Sequence, residues 1–438
     1  MAHGFATAPH APAYRLARAT LPTAFVDAAG LPPAGDDTVR ADILVGAGRI
    51  EAVLPPGEGD PSLPVLDLDR GMVWPGFVDA HTHIDKGHIW PRRPNPDGTF
   101  MGALTAVTGD REANWSRDDV AARMEFSLRC AHAHGTVALR THIDSRIGQT
   151  GITFPVFAEL RDRWAGRVAL QASPLFAIDL ALDARHMDDV VGNVAEHGSV
   201  TLGSVTYACP QLAEGLGTLF RIAGAKGWNL DFHVDETLDP AAASLRLIAQ
   251  TAIAHGFEGS ILVGHCCSLS VQPDDEAART MDLVAQAGIA VVSLPMCNMY
   301  LQSRAAGTTP RRRGVTLLHE LKARGVSVMV ASDNTRDPFY AYGDLDLLEV
   351  YREATRIAHF DHPVGDWPAA VTAAPAAAMG VDHGRIAVGG PADLVLFRAR
   401  TWTELLSRPQ SDRTVLRHGQ PIDTTLPDYR DLDAVLAG

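Results

Sequence analysis

The middle of the chain alternates short apolar runs with longer stretches of helical periodicity. Eight runs have the composition of buried β-strands, at 72–80, 137–143, 167–173, 199–208, 230–234, 260–265, 289–295 and 326–332. Between the first two, segment 116–134 has the period of a helix, with Ser116 and Asp119 as a capping pair and Gly135 as its stop. Strands that alternate with helices in this way predict a (β/α)8 barrel, with a doubly wound α/β sheet as the alternative.

Both ends of the chain show a different pattern. Segments 36–72, 384–397 and 414–422 consist of short apolar runs broken by Gly and Pro, which is typical of β-strands joined by turns. We therefore predict that residues 12–72 and 384–438 together form one small, discontinuous β-domain, and that residues 73–383 form the barrel.

Composition narrows the class of protein. The 438 residues are 46% hydrophobic and 21% charged, as in an ordinary globular protein, and 38 basic against 52 acidic residues give a net charge of -14. Binding of nucleic acid requires clustered Lys and Arg, so we expect no such partner. Five scattered cysteines do not form a disulfide framework. Residues 1–15 lack a secretory leader pattern and no apolar run is long enough to span a bilayer, so we expect a cytoplasmic protein with no membrane partner.

Polar side chains follow four of the predicted strands, at the end of a barrel where catalytic groups lie. His81 and His83 are two residues apart, so that both imidazoles can face one ion. His233, His265 and Asp333 end the fifth, sixth and eighth runs. Four imidazoles and one carboxylate are a ligand set for Zn or Fe(II), which favours a metal site over isolated, hydrogen-bonded histidines.

Other side chains adjoin these candidate ligands. Glu236 lies three residues after His233, where a carboxylate can move a proton between a metal-activated water and a substrate; the alternative is a solvated loop acid. A wider set is predicted to bind substrate or to support the rim, and comprises Asp85, Lys86, Arg140, His142, Asn298, Gln302 and Asn334.

Several motifs together resemble the amidohydrolase superfamily, and more narrowly its cytosine deaminase-like branch. They are PGFVDAHTHIDK (75–86), RTHID (140–144), HVDE (233–236), GHCCSL (264–269), CNMYLQSR (297–304), SDNTRDPF (332–339) and GGPADLVLF (389–397). The resemblance spans nearly the whole chain. It implies a distorted (β/α)8 barrel with a small discontinuous β-sandwich domain, and a homo-oligomer, since relatives of this type commonly associate.

The same resemblance implies roles for the candidate residues. It makes His81, His83, His233 and Asp333 the metal ligands, Glu236 the proton shuttle, and His265 the group that orients or polarises the attacking water. Asp333 or His265 takes up the proton of that water. The fourth run contains no Lys, which argues against a dinuclear centre bridged by a carbamylated lysine. We therefore expect one divalent metal ion per chain, Zn or Fe(II).

The substrate pocket departs from the pattern of the cytosine deaminases. Where those enzymes read cytosine with a Gln, an Asp and a Trp, this chain has Ala177, Asn334 and Phe339, which makes Phe339 a further candidate for substrate binding. The expected function is a metal-dependent hydrolytic deaminase of a small aminated nitrogen heterocycle of the pyrimidine, purine, pterin or triazine class. Activated water would attack an amidine-like ring carbon and release ammonia. The alternatives are hydrolysis of a cyclic amide or substituted amine at the same centre, and a catalytically silent metal-bound binding protein.

Overall fold

The structure is a computed structural model that describes residues 4–9 and 11–437. Outside this range lie residues 1–3 and 10, which belong to segment 1–15, and Gly438, the last residue of the predicted small domain. Eight parallel strands alternate with helices: Phe77–Thr82, Thr136–Asp144, Ala169–Leu175, Thr201–Thr206, Asn229–Val234, Ile261–His265, Ala290–Ser293 and Val328–Val330. Each overlaps one of the eight predicted runs.

The eight strands form two parallel sheets that meet at both edges. Three strands make one sheet and five make the other. Two isolated parallel bridges, Ala177 with Val205 and Thr82 with Asp333, connect the sheets on either side. Backbone hydrogen bonds of 2.8 Å from Val205 N to Phe176 O and 2.9 Å from Asp333 N to His81 O accompany these bridges. The order is that of a distorted (β/α)8 barrel, and the predicted fold class is confirmed.

The chain ends supply two further sheets. One contains Ala13–Pro22, Pro33–Gly35, Thr38–Gly46, Arg49–Leu54 and Val65–Asp67; the other is antiparallel and contains Val73–Pro75, Leu394–Leu396, Thr414–Arg417 and Gln420–Pro421. The run predicted as one strand at 72–80 is therefore two strands in different sheets. The chain passes from the antiparallel sheet to the barrel at Gly76, where a Cβ would lie 2.1 Å from Val137. The division into two domains stays a proposal.

Helices surround the parallel strands. Their bounds are Phe100–Asn114, Arg117–His134, Thr150–Trp164, Ala184–Glu196, Leu212–Lys226, Ser244–His255, Asp274–Gln286, Pro295–Leu301, Leu318–Lys322, Leu347–Ala358, Ala373–Met379, Trp402–Ser407 and Asp433–Leu436. The predicted helix 116–134 is capped as expected: the Ser116 hydroxyl accepts from Asp119 N, and Gly135 ends the helix at a φ of 100°. None of the described helices is both long enough and apolar enough to cross a bilayer.

An aromatic cluster packs the antiparallel sheet against the barrel. Trp74 is fully buried, and its ring centroid lies 4.9 Å from that of Phe25, 5.4 Å from Tyr351 and 5.9 Å from Trp402. Tyr351 belongs to the barrel helix Leu347–Ala358 and Trp402 to the carboxyl-terminal segment. Such contacts between large apolar rings stabilise the packing of this sheet against the barrel.

Candidate metal centre and active site

Five polar side chains meet at the carboxyl-terminal rim of the barrel. They are His81, His83, His233, His265 and Asp333. His83 Nε2 lies 3.1 Å from His233 Nε2 and 3.3 Å from Asp333 Oδ1. His81 Nε2 lies 3.6 Å from the same Asp333 oxygen, and the His81 and His233 rings are 4.4 Å apart. The structure thus brings together the side chains that the sequence placed at four strand ends.

Buried polar atoms in this cluster lack hydrogen-bond partners. Within the described part of the chain this holds for both ring nitrogens of His81, both carboxylate oxygens of Asp333, and Nε2 of His265. Burying such atoms costs free energy unless a partner compensates. Burial also lowers the pKa of His81 and His83 well below its usual range, so these imidazoles are neutral, the form that binds metal.

The donor set fits a divalent metal ion. Ligand atoms of His81, His83 and Asp333 all lie within 4.8 Å of one another, as do those of His81, His233 and His265. Imidazole and carboxylate together suit Zn or Fe(II). Burial raises the pKa of Asp333 to about 7, and a cation beside this carboxyl would favour its ionised form.

The backbone around the cluster is specialised. Gly264 precedes His265, and a Cβ at Gly264 would lie 2.7 Å from Cε1 of His81, so only glycine leaves room for that ring. His265 and Asp333 have φ values of 69° and 63°, in the left-handed region that residues other than glycine rarely adopt. Strain of this kind costs on the order of 1–3 kcal/mol per residue and is concentrated at functional sites.

Glu236 lies directly beside the cluster. Its Oε1 is 3.5 Å from His265 Nδ1 and accepts a hydrogen bond from Asn298 Nδ2 at 3.3 Å, while Gln302 Nε2 donates to its backbone oxygen at 3.1 Å. Burial, followed by the charge of Asp333, raises the pKa of Glu236 well above its usual range. A carboxyl that keeps its proton towards neutral pH is suited to proton transfer.

Asp85 and Lys86 belong to the segment that directly follows His83. Lys86 is buried, its Nζ donates to Asp144 Oδ1 at 2.8 Å, and it lies 5.3 Å from the ring centroid of Phe339. Asp85 Oδ2 accepts from the backbone N of Asp144 at 2.8 Å, and burial raises the pKa of Asp85 to about 7. A buried ammonium against an aromatic ring is thus held next to the metal-binding cluster.

Arg140 and His142 are engaged by other parts of the barrel. Arg140 Nη1 donates to Asp231 Oδ2 at 2.9 Å, and Arg140 Nη2 donates to Gln171 Oε1 at 2.8 Å. The His142 ring packs against His81 with the centroids 4.1 Å apart. His142 Nε2 lies 3.8 Å from Asp231 Oδ1. These contacts connect the second barrel strand to the third and the fifth, and they pack it against His81 of the first.

Asn334 and Phe339 belong to the segment after Asp333. Asn334 Nδ2 donates to Asp337 Oδ2 at 2.7 Å, and the Phe339 ring lies 5.4 Å from that of Phe100. Cys297 contacts both, with its Sγ 3.6 Å from Asn334 Oδ1 and 3.8 Å from Phe339 O. Like the other cysteines of the chain, Cys297 is free, as expected from the sequence.

Sequence reasoning missed three carboxylates that contact predicted site residues. Asp231 contacts Arg140, Asp144 contacts Lys86, and Asp337 contacts Asn334. Asp231 stands two residues before His233 in one strand, so the alternation of side chains could have placed both on one face. The signal for Asp337 was only its nearness to Asp333.

The fold and the cluster define a class, the barrel hydrolases that bind metal through histidines at strand ends. The chain belongs to the amidohydrolase family, whose pattern residues 157–423 match. It is 55% identical over 438 residues to the pterin deaminase of Rhizobium rhizogenes, with 100% of both chains covered. The family predicted from the motifs is confirmed.

Solved structures show the same fold. The 5-methylcytosine deaminase of Klebsiella pneumoniae liganded with 5-fluorocytosine superimposes with a TM-score of 0.79 at 22% identity, covering 93% of this chain and 97% of that one. An adenosine deaminase of Xanthomonas campestris with bound zinc superimposes with a TM-score of 0.68 at 18% identity, and the match covers 97% of both chains.

Proposed function

We propose that this protein is a metal-dependent deaminase whose substrate is a pterin. The coarser prediction, hydrolytic deamination of a small aminated heterocycle, is confirmed by its deaminase relatives. The single observation that supports the pterin ring is identity of 55% over the full length of both chains to a pterin deaminase. In a pterin the amino group is attached to a carbon between two ring nitrogens, which is the amidine-like carbon expected from the motifs.

The metal ligands in this proposal are His81, His83, His233 and Asp333, which would hold one Zn or Fe(II) ion. When bound, such an ion lowers the pKa of water towards neutrality and so supplies a nucleophile. Strand Thr201–Thr206 contains no Lys that could bridge a dinuclear centre, which supports a single metal ion per chain. A further group of possible ligands consists of His81, His142 and Asp231, and its carboxylate is already paired with Arg140.

Glu236 carries the protons. Its raised pKa lets the protonated carboxyl donate to the ring nitrogen next to the carbon under attack. Glu236 then takes the second proton of the attacking water and donates it to the departing amino group, which leaves as ammonia while the ring carbon becomes a carbonyl. The first proton of the water, accepted by Asp333, passes to Glu236 and restores its protonated form. Water and the amidine-like group are consumed, and one carbonyl and one ammonia are formed.

Lys86 and Phe339 are the proposed contacts to the ring system. The Lys86 ammonium has three N–H donors, of which one is used by Asp144, so the others can bind a ring oxo group. Phe339 offers an aromatic face where the branch's cytosine deaminases have Trp. Asp85, Arg140, His142, Gln302 and Asn334 remain proposed as pocket or supporting residues, and homo-oligomerisation stays a prediction.

The test is ammonia release by zinc-loaded protein across aminated pterins, pyrimidines, purines, triazines and creatinine. Glu236→Gln protein of matched metal content is the blank. We expect release from pterin with a kcat/KM at least tenfold above that for any other ring. Release from another ring would replace the substrate class. Silence across the panel from protein that carries one metal would favour the hydrolysis of an amide or substituted amine.

A further inference from the structure

One short helix places two amide side chains against the predicted proton shuttle. Helix Pro295–Leu301 follows the seventh barrel strand and contains Asn298, and Gln302 is the residue directly after its last one. Asn298 is fully buried, and its Nδ2 lies 2.9 Å from His265 Nδ1 and 3.3 Å from Glu236 Oε1. Gln302 Nε2 instead donates to the backbone oxygen of Glu236 at 3.1 Å. Asn298 therefore joins two groups of the site through one amide nitrogen.

We propose that Asn298 is a positioning residue that holds His265 in the tautomer with its proton on Nε2 and fixes one oxygen of Glu236. The amide nitrogen carries two hydrogens. With its proton on Oε2, the carboxyl of Glu236 still accepts through Oε1, and the ring nitrogen of His265 can accept as well. The opposite amide orientation would turn Asn298 Oδ1 towards the oxygen of Glu236. Because a neutral imidazole has one N–H, an Nδ1 that accepts leaves the proton on Nε2.

The tautomer decides what His265 does. Its Nε2 is buried and has no hydrogen-bond partner among residues 4–9 and 11–437, and it lies within 4.8 Å of ligand atoms of His81 and His233. A protonated Nε2 has no free lone pair, so His265 is not a metal ligand and is not the base that takes a proton from water. It donates a hydrogen bond that orients the water oxygen, and Asp333 accepts the proton.

This inference rests on the proposed function only for its kinetic consequence. The tautomer is a property of the protein itself and is measured without substrate. A protein that deaminates no pterin would still show the tautomer, and a protein with the other tautomer could still deaminate pterin. The two proposals therefore fail separately.

The first test is nitrogen NMR of zinc-loaded protein labelled with ¹⁵N-histidine. Long-range proton–nitrogen correlations distinguish the two tautomers, and His265→Gln protein identifies the His265 signals by their loss. We expect the proton on Nε2 in the parent. In Asn298→Asp the new carboxylate accepts from Nδ1, so the proton should move to that nitrogen. A parent His265 with its proton on Nδ1 would overturn the proposal.

Matched variants show whether the effect belongs to Asn298. Met299→Ala changes the next residue of the same helix, which lines a cavity of about 430 Å³ at the surface, and should leave the His265 signals in place. Asn298→Ser keeps a small polar side chain and serves if Asn298→Asp does not fold. The same signal pattern in all variants would mean that Asn298 does not set the tautomer.

The second test is the division between kcat and KM on the substrate that the ammonia panel selects. Asn298→Ala should lower kcat by about 10²-fold, within the range of a single acid–base contribution, and leave KM within about threefold. A raised KM with an unchanged kcat would make Asn298 a substrate-binding residue and overturn the proposal. An unchanged kcat and KM would overturn it as well.

Discussion

Two buried polar clusters of this barrel differ in how their atoms are partnered. In the arginine cluster, between helices Phe100–Asn114 and Arg117–His134, each charge faces an opposite one. Arg92 Nε and Nη2 donate to the two oxygens of Asp110 at 2.9 Å each, and Arg123 Nη2 donates to Asp119 Oδ2 at 2.6 Å. Its groups compensate one another, which is what stability requires of buried charges.

The histidine cluster, defined as His81, His83, His233, His265 and Asp333, leaves donors and acceptors unmatched among the described residues. Ligand atoms of its members lie within 4.8 Å of one another in two groups of three that share His81, and this grouping is what distinguishes the cluster. His88 shows why missing partners alone do not define a site. Both of its ring nitrogens lack partners in the described chain, yet its neighbours are aromatic rings: its centroid lies 4.8 Å from that of Phe126 and 6.3 Å from that of Tyr429.

Removal of metal should have the largest effect and should act on the histidine cluster alone. We expect dialysis against a chelator to abolish measurable deamination and to lower the melting temperature, since a bound ion stabilises the folded state. Zinc should restore both. His83→Gln should reproduce the chelated state and bind zinc at least 10²-fold more weakly. Full deaminase activity of protein with a measured metal content of zero would contradict a catalytic metal site in the histidine cluster.

Replacement of Glu236 by Gln should separate chemistry from metal binding within the same region. The amide cannot move a proton, so kcat should fall by about 10³-fold or more, since a single acid–base group contributes about 10²- to 10⁴-fold. Metal content should stay at one ion per chain, because Glu236 is not among the proposed ligands. Steady-state kinetics and metal analysis on one sample provide both values, and a loss of metal would assign Glu236 to the ligand set.

The elements of the barrel were accessible from sequence because each depends on a local pattern. The cap at Ser116 and the stop at Gly135 follow from residues in contact along one helix. His81 and His83 share a face because strand side chains alternate. At 72–80 the same pattern misled, since a continuous apolar run does not show that Gly76 separates two sheets.

The contacts between site residues could not be predicted from sequence because their partners come from distant parts of the chain. Asp231 contacts Arg140 across 91 positions, and Asn298 contacts His265 across 33. Nothing local in the segment around Asn298 distinguishes a side chain that binds substrate from one that positions a catalyst. The distances to His265 Nδ1 and Glu236 Oε1 support the proposed positioning role.

Replacement of Arg123 by Met tests the arginine cluster. It removes one of the two buried arginines that pair with Asp119. Because Arg92 remains, we expect a loss of unfolding free energy below the about 3–5 kcal/mol that breaking a buried pair completely costs. Metal content of the folded protein should not change, in contrast to His83→Gln. Arg117→Met is the control on the same helix: Arg117 pairs with Glu159 in solvent, and we expect no measurable loss. Urea unfolding measures both, and equal stability of the two variants would contradict a structural role for the cluster.

Of these changes, replacement of His88 by Asn should have the smallest effect on the free energy of unfolding at neutral pH. In acid the sign of that effect should reverse. Burial, followed by the charge of Arg336, lowers the pKa of His88 to about 3, so the folded protein keeps this ring neutral. As pH falls from about 6.5 towards 3, the unfolded chain takes up a proton that the folded one does not, and stability is lost. Asn tolerates the φ of 67° and does not titrate there.

At pH 7 the His88→Asn variant should be less stable than the parent by about 1 kcal/mol, through lost packing on Phe126. At pH 5 the difference should vanish or change sign, because each unit of pKa displacement corresponds to about 1.4 kcal/mol. His418→Asn replaces an exposed imidazole at a similar φ of 48° and controls for the backbone. The measurement is the urea midpoint of both proteins at both pH values. A difference between parent and His88→Asn that stays constant with pH would mean that the folded protein does not hold the ring neutral. The buried histidine would then not destabilise the protein in acid.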